Sequence, residues 1–71
     1  MRFELIVKPI AKQNRNFELV RSTIPQSIQD KIETYKPTDD LQLVEFIDFK
    51  IDLTLPEKTQ LLNLFPELKE V

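Results

Sequence analysis

The sequence predicts a small α+β domain in which two helices pack on one face of a three-stranded sheet. Three patterns lead to that class: an alternating apolar segment near the amino end, two helix starts that contain proline, and a β-branched and aromatic segment between the helices. The 71 residues are 41% hydrophobic and 31% charged, which is typical of a folded domain. We therefore treat residues 1–71 as a single small domain.

Two segments near the amino end are predicted to form a hairpin. The first strand covers residues 2–8, and one of its faces carries Phe3, Leu5 and Val7. Apolar and polar residues alternate again over residues 16–22, which predicts the second strand. A short helix over 15–22 is the alternative for this segment.

A helix is predicted over residues 24–35. Thr23 is placed as its N-cap, Pro25 lies in the first turn, and Gln26 completes a capping box. Apolar residues then follow at helical spacing: Ile28, Ile32 and Tyr35. Pro37 ends the pattern, because the residue before a proline is pushed out of helical geometry.

Residues 41–53 are predicted to form the third strand. One face of such a strand is apolar except for Glu45, and the segment is rich in residues that favour a pleated surface. The helical interpretation is the alternative, since Leu43, Ile47 and Ile51 are spaced four apart. A helix here would make the protein an all-α bundle.

The last predicted element is a helix over residues 55–65. Thr54 and Glu57 form a capping box around Pro56. Pro66 interrupts the helix, and the tail that follows is expected to add one more turn. In the predicted core the helices contribute Ile28, Ile32, Leu61, Leu62 and Phe65. The strands contribute Leu5, Val7, Leu19, Ile47, Phe49 and Ile51.

The composition excludes much enzyme chemistry. The chain contains no glycine, cysteine or histidine, which removes glycine-rich phosphate loops, thiol and imidazole catalysis, and the usual zinc ligands. Carboxylates are the remaining candidates, but Asp40 and Asp48 on one continuous strand would lie roughly 26 Å apart at about 3.3 Å per residue. We expect no catalytic residue, no metal site and no cofactor.

Two surfaces are candidates for binding. The final helix is rich in apolar residues, which predicts contact with another protein or with a second copy through Leu61, Leu64, Phe65 and Leu68. Residues 1–22 contain five basic and two acidic residues. That excess is the alternative, a nucleic-acid contact through Lys8, Lys12, Arg15 and Arg21.

The function expected from these patterns is that of a small non-enzymatic interaction module, such as a regulator, adaptor or inhibitor, and it could act as a homodimer. The longest uninterrupted apolar stretch, Leu5–Val7, is too short for a membrane span or a signal-peptide core. A cytoplasmic location is therefore expected, without a membrane partner.

Residues 24–71 resemble a known family. Over Leu43–Leu62, leucine and isoleucine four apart lead into the turn Leu53-Thr54-Leu55 and a helix that opens with Glu57-Lys58. This is similar to the helical end of the Lon protease amino-terminal, substrate-contacting domain, and Ile24-Pro25 matches an isoleucine-proline helix start there. Residues 1–22 do not fit, and no ATPase or peptidase motif is found. The resemblance implies that residues 41–51 are helical and that the chain is a protein-contacting piece of a larger machine.

Overall fold

Antiparallel strands form the sheet of this α+β fold. The computed structural model describes residues 1–6 and 16–71, and within them the sheet has four strands. They are β1 Arg2–Leu5, β2 Ile32–Pro37, β3 Val44–Phe49 and β4 Leu68–Glu70. Their spatial order is β2-β3-β1-β4, and every neighbouring pair is antiparallel. The predicted fold class is confirmed, whereas the predicted count of three strands is wrong.

The described helices all lie on one side of the sheet. They are α1 Phe17–Arg21, α2 Gln26–Gln29 and α3 Leu55–Leu64. One buried cluster joins the three helices to the inner strands, and it includes Phe17, Ile28, Leu61, Phe3 and Ile47. Because these strand residues share one face of the sheet, the helices form a single layer over that face.

The predicted core is partly right. Buried as expected are Ile28, Ile47, Phe49, Leu61 and Phe65, and packed against them are Leu5, Ile32 and Leu62. Two predicted core residues are on the surface, since Leu19 is 70% and Ile51 is 55% exposed. Val7 lies outside the described residues. Phe3 and Phe17 are also fully buried.

The predicted amino-terminal hairpin does not form, because β1 pairs with β3 and β4 instead. The predicted strand over 2–8 is confirmed at Arg2–Leu5, and its last residues lie outside the described part. The predicted strand over 16–22 is wrong, because this segment forms α1, which was the alternative. The Asn16 side chain accepts from the Glu18 amide at 2.8 Å and caps the helix. In the helix Phe17 points inwards and Leu19 points outwards. In a strand, alternation would have placed both side chains on the same face.

The predicted helix over 24–35 is also wrong in extent. Pro25 does begin a helix, but α2 ends at Gln29 and β2 starts at Ile32. Thr23 does not cap α2: its hydroxyl donates to the Val20 carbonyl at 2.6 Å and so closes α1. Residues 32–35 are Ile, Glu, Thr and Tyr, and such β-branched and aromatic residues gain more from pairing with β3 than from continuing a helix.

The strand interpretation of residues 41–53 is confirmed over Val44–Phe49, so the helical alternative for this segment is not found. The strand is shorter than predicted because a hydrogen-bonded loop precedes it. The Thr38 amide donates to the Leu43 carbonyl at 3.0 Å, and the Leu41 amide donates to the Thr38 carbonyl at 2.9 Å. This loop holds Leu41 at a φ of 60°, the left-handed region that a glycine would fill more easily.

The predicted final helix is confirmed within one residue. Thr54 and Glu57 form the capping box, with Thr54 N donating to Glu57 Oε1 at 2.9 Å. Lys31 Nζ lies 2.6 Å from the same oxygen and ties α3 to the end of α2. This hydrogen bond, with that from the Thr54 amide, lowers the pKa of Glu57 from 4.5 to about 2.

The tail after Pro66 forms β4 instead of the extra helical turn, because Leu68 pairs with Leu5 and reaches the core.

Candidate functional site

One face of the sheet is turned away from the helical layer. Phe3 and Ile47 are register partners and both are buried against the helices, so their neighbours on β1 and β3 point to the opposite side. The same register extends this opposite side to the outer strands. We call this surface the open face; it consists of Arg2, Glu4, Thr34, Lys36, Phe46, Asp48, Lys69 and Val71. No helix of residues 1–6 and 16–71 lies over it.

The strand register arranges the open face in two rows that run across the strands. The first row is Thr34, Asp48, Arg2 and Val71, and its last link is a 3.0 Å hydrogen bond from the Val71 amide to the Arg2 carbonyl. The second row is Lys36, Phe46, Glu4 and Lys69. The rows are separated by two residues along each strand, about 7 Å.

Arg2 and Phe46 form the centre of the open face. The Arg2 guanidinium lies 4.0 Å from the centre of the Phe46 ring, which is a cation–π contact. Its Nε is 3.1 Å from Glu4 Oε1 and 3.7 Å from Asp48 Oδ1. Among the described residues this Nε is shielded from solvent and has no hydrogen-bond partner. The two carboxylates therefore hold the guanidinium on the ring by charge rather than by linear hydrogen bonds.

Charged and apolar side chains surround this centre. Lys36 Nζ lies 3.0 Å from Glu45 Oε2, and Thr34 Oγ1 lies 3.3 Å from Asp48 Oδ2. Exposed ion pairs of this kind add little to stability, with a median of about 0–1 kcal/mol. Val71 is 65% exposed, which leaves apolar surface at the end of the first row. The open face thus combines an aromatic–arginine centre with charges of both signs.

Ile6 extends the apolar surface beyond the second row. Its amide donates to the Glu67 carbonyl at 3.1 Å, so it continues the pairing of β1. Strand alternation places its side chain on the same side as Arg2 and Glu4, and it is 54% exposed.

The structure places one of the four predicted nucleic-acid contacts, Arg21. Its Nη2 lies 2.8 Å and its Nε 2.9 Å from Glu18 Oε2, and its guanidinium lies 5.1 Å from the Tyr35 ring centre. The hydrogen bond to Glu18 raises the pKa of Arg21, and burial raises the pKa of Tyr35. Arg21 is therefore engaged in joining α1 to β2. The other three, Lys8, Lys12 and Arg15, lie outside the described residues.

The four predicted protein-contact residues are not a surface. Leu61 and Phe65 have no exposed area, Leu68 is 4% exposed, and Leu64 is partly buried against the same core. The apolar stripe of α3 is covered because Leu61 and Phe65 pack in one cluster with the sheet and the other two helices. Leu61, Phe65 and Leu68 therefore belong to the core, and Leu64 lies at its edge.

A cleft of about 420 Å³ lies between α1, α2 and β2, lined by Arg21, Gln29, Ile32, Glu33, Thr34 and Tyr35. Its main donors are already engaged: Arg21 and the Tyr35 hydroxyl bind Glu18, and Gln29 Nε2 donates to the Ile24 carbonyl at 2.6 Å.

Asp48 lies on the other side of the sheet and contacts Arg2 and Thr34. Within the described residues, no group of three carboxylates is placed to hold a metal ion.

Sequence reasoning missed the centre of the open face, although a signal for it was present. On a strand over 44–49, Phe46 falls on the polar face with Asp48, opposite to Ile47 and Phe49. A large apolar residue on a polar strand face is unusual and marks a candidate contact. That Arg2 would cover it depends on the pairing of β1 with β3, which no local pattern predicts.

No protein-family model, no curated protein and no solved structure matches the chain. In the described part of the molecule, the helices are all too short to cross a bilayer.

Proposed function

We propose that this protein is a small non-enzymatic protein-interaction module that contacts its partner through the open face. The observation that carries the proposal is the placement of all described helices on one side of the sheet. It leaves an aromatic–arginine centre accessible on the other side. The predicted contact through the apolar side of α3 is replaced by this surface.

The chemistry of the open face favours a protein as partner. Arginine and aromatic residues are enriched at the centres of protein interfaces, and charged residues are common at their rims. The face carries basic groups at Arg2, Lys36 and Lys69, with acidic groups at Glu4 and Asp48. Such a mixture fits a protein surface with an apolar centre and charges of both signs. The resemblance to the Lon substrate-contacting domain also implies protein contact. The helix that it implies over residues 41–51 is a strand at Val44–Phe49, so the resemblance stays a hypothesis and adds no support here.

Site-specific photo-crosslinking tests the proposal. A photoreactive residue is placed at Lys36 or Lys69 on the open face, and at Gln60, an exposed position of α3, as the matched control. Adducts with an identified protein, reproduced with that protein purified, are expected from the open face only. Phe46→Glu should abolish them while circular dichroism shows the fold retained. Adducts that form from Gln60 alone, or from neither surface, would contradict the proposal.

A nucleic-acid contact is the second candidate, and one observation favours it. Phe46 lies on an inner strand of a four-stranded sheet with Lys36 beside it in the same row. Sheets that bind RNA stack bases on aromatic side chains in such positions, and here a base would have to displace the Arg2 guanidinium from the Phe46 ring.

Filter binding of a single-stranded oligonucleotide at two salt concentrations tests this candidate. A phosphate binder should lose affinity steeply between 50 and 200 mM salt, because bound cations are released. Replacing Lys8, Lys12 and Arg15 with alanine should reduce that salt dependence. Failure to bind at the lower salt concentration would eliminate the candidate.

A further inference from the structure

We propose that the open face binds a second copy of this chain, as a weak two-fold symmetric dimer in which the sheets pack face to face. This inference rests on the proposed function, because it names the partner of the same surface. The order of charges in the two rows of the open face supports it.

A two-fold axis can run across the strands, midway between the two rows. Such an axis reverses each strand and places it over its own copy, so the first row of one molecule faces the second row of the other. Arg2 then faces Glu4 of the second copy, and Glu4 faces Arg2 of the second copy. On the outer strands, Lys36 faces Thr34 and Lys69 faces Val71. No two charges of like sign within the rows are opposed.

The other in-plane axis, parallel to the strands, is disfavoured by the same register. It exchanges β2 with β4 and β3 with β1, so Arg2 faces Asp48 of the second copy, but Lys36 also lies over Lys69 of the second copy, twice in each dimer. Like charges opposed across an interface disfavour association. Of the two axes, only the one that runs across the strands opposes no like charges within the rows, so the row order favours it. The strands of the two sheets then run nearly along the same line, as in aligned sheet packing.

The size of the open face sets the strength of this dimer. The strands lie about 4.8 Å apart, and with six residues in β2 and in β3, four in β1 and three in β4 they cover roughly 300 Å² in each molecule. The total of roughly 600 Å² is below the 1,200–2,000 Å² of stable interfaces. Association should therefore be weak and reversible.

Charge reversal tests the pairing directly. The variants R2E and E4R each oppose like charges across the axis, in two exposed pairs per dimer. Each variant alone should therefore associate at least about tenfold more weakly than the wild type. In an equimolar mixture, the acidic positions of R2E face the basic positions of E4R, and association should return. Q60E and Q60R, on α3, are the controls and should behave as wild type. Sedimentation equilibrium measures all of these, with circular dichroism to check folding.

A measurement on the wild type keeps the test independent of variant stability. On dilution, amide resonances of residues 2–4 and 46–48 should shift, whereas those of residues 60–63 should not. A wild type that stays monomeric up to about 1 mM would overturn the dimer. The dimer would also be overturned if the equimolar mixture of R2E and E4R associated no more strongly than either variant alone. If the protein is monomeric and open-face crosslinks to another protein still form, the dimer fails and the proposed function survives. If neither forms, both fail.

Discussion

Glu57 shows how one carboxylate can join two elements. It accepts hydrogen bonds from Lys31 Nζ and from the Thr54 amide, and it therefore connects the end of α2 with the start of α3. Sequence reasoning found the capping role, because Thr54 and Glu57 are local neighbours. It could not find Lys31, which is 26 residues away along the chain.

Acid should weaken the fold through Glu57. Because the folded-state pKa, about 2, lies below the ordinary value of 4.5, the carboxylate stabilises the fold above about pH 4.5. This stabilisation is lost as the pH falls from 4.5 towards 2. Urea unfolding at pH 7, 4.5, 3 and 2 measures it, and Glu57→Gln should remove this part of the pH dependence. A variant as acid-sensitive as the wild type would contradict the assignment.

Leu41 is held in a left-handed conformation that leucine adopts at a cost. Its φ is 60°, and its side chain is 53% exposed, so burial offers little compensation. Leu41→Asn should raise the free energy of unfolding by about 0.5–1 kcal/mol, because asparagine tolerates this region better. Denaturant titration measures the change, and Asp39→Asn in the same loop should be nearly neutral. A loss of stability in Leu41→Asn would mean that the leucine side chain packs.

At the scale of elements, α3 and the positions of β1 and β3 were predictable from local sequence, whereas α2, β2 and β4 were not. The Thr54 capping box is local, so α3 was found within one residue. By contrast, α2 and β2 share a segment with helical spacing, and pairing with β3 decides its outcome at Ile32. Such pairing lies beyond any local window. The open face was missed for the same reason.

The orientation of α1 can be tested by a matched pair of substitutions. Phe17 is fully buried and contacts the rings of Tyr35 and Phe65 at 5.5 and 5.6 Å, whereas Leu19 is 70% exposed. Phe17→Ala should cost about 3–5 kcal/mol of unfolding free energy, and Leu19→Ala less than about 0.5 kcal/mol. Thermal unfolding at one pH compares them. Equal losses would favour the strand originally predicted for this segment.

On the scale of the whole molecule, the sheet is assembled from distant parts of the chain. β1 lies between β3 and β4, and Phe3 pairs with both Ile47 and Glu70. Contacts so far apart in sequence slow folding, because a large loop must close before they form. We expect refolding in milliseconds to seconds, and stopped-flow fluorescence of Tyr35 measures it. Completion within microseconds would contradict this dependence on distant pairing.

The pairing of β1 with β4 has a consequence for synthesis on the ribosome. Residues 68–70 follow β1 and β3 along the chain, so β1 has only β3 as a neighbour until those residues have left the exit tunnel. Until then, the side of β1 that later binds β4 is an unpaired strand edge, which is the kind of surface that chaperones protect from aggregation.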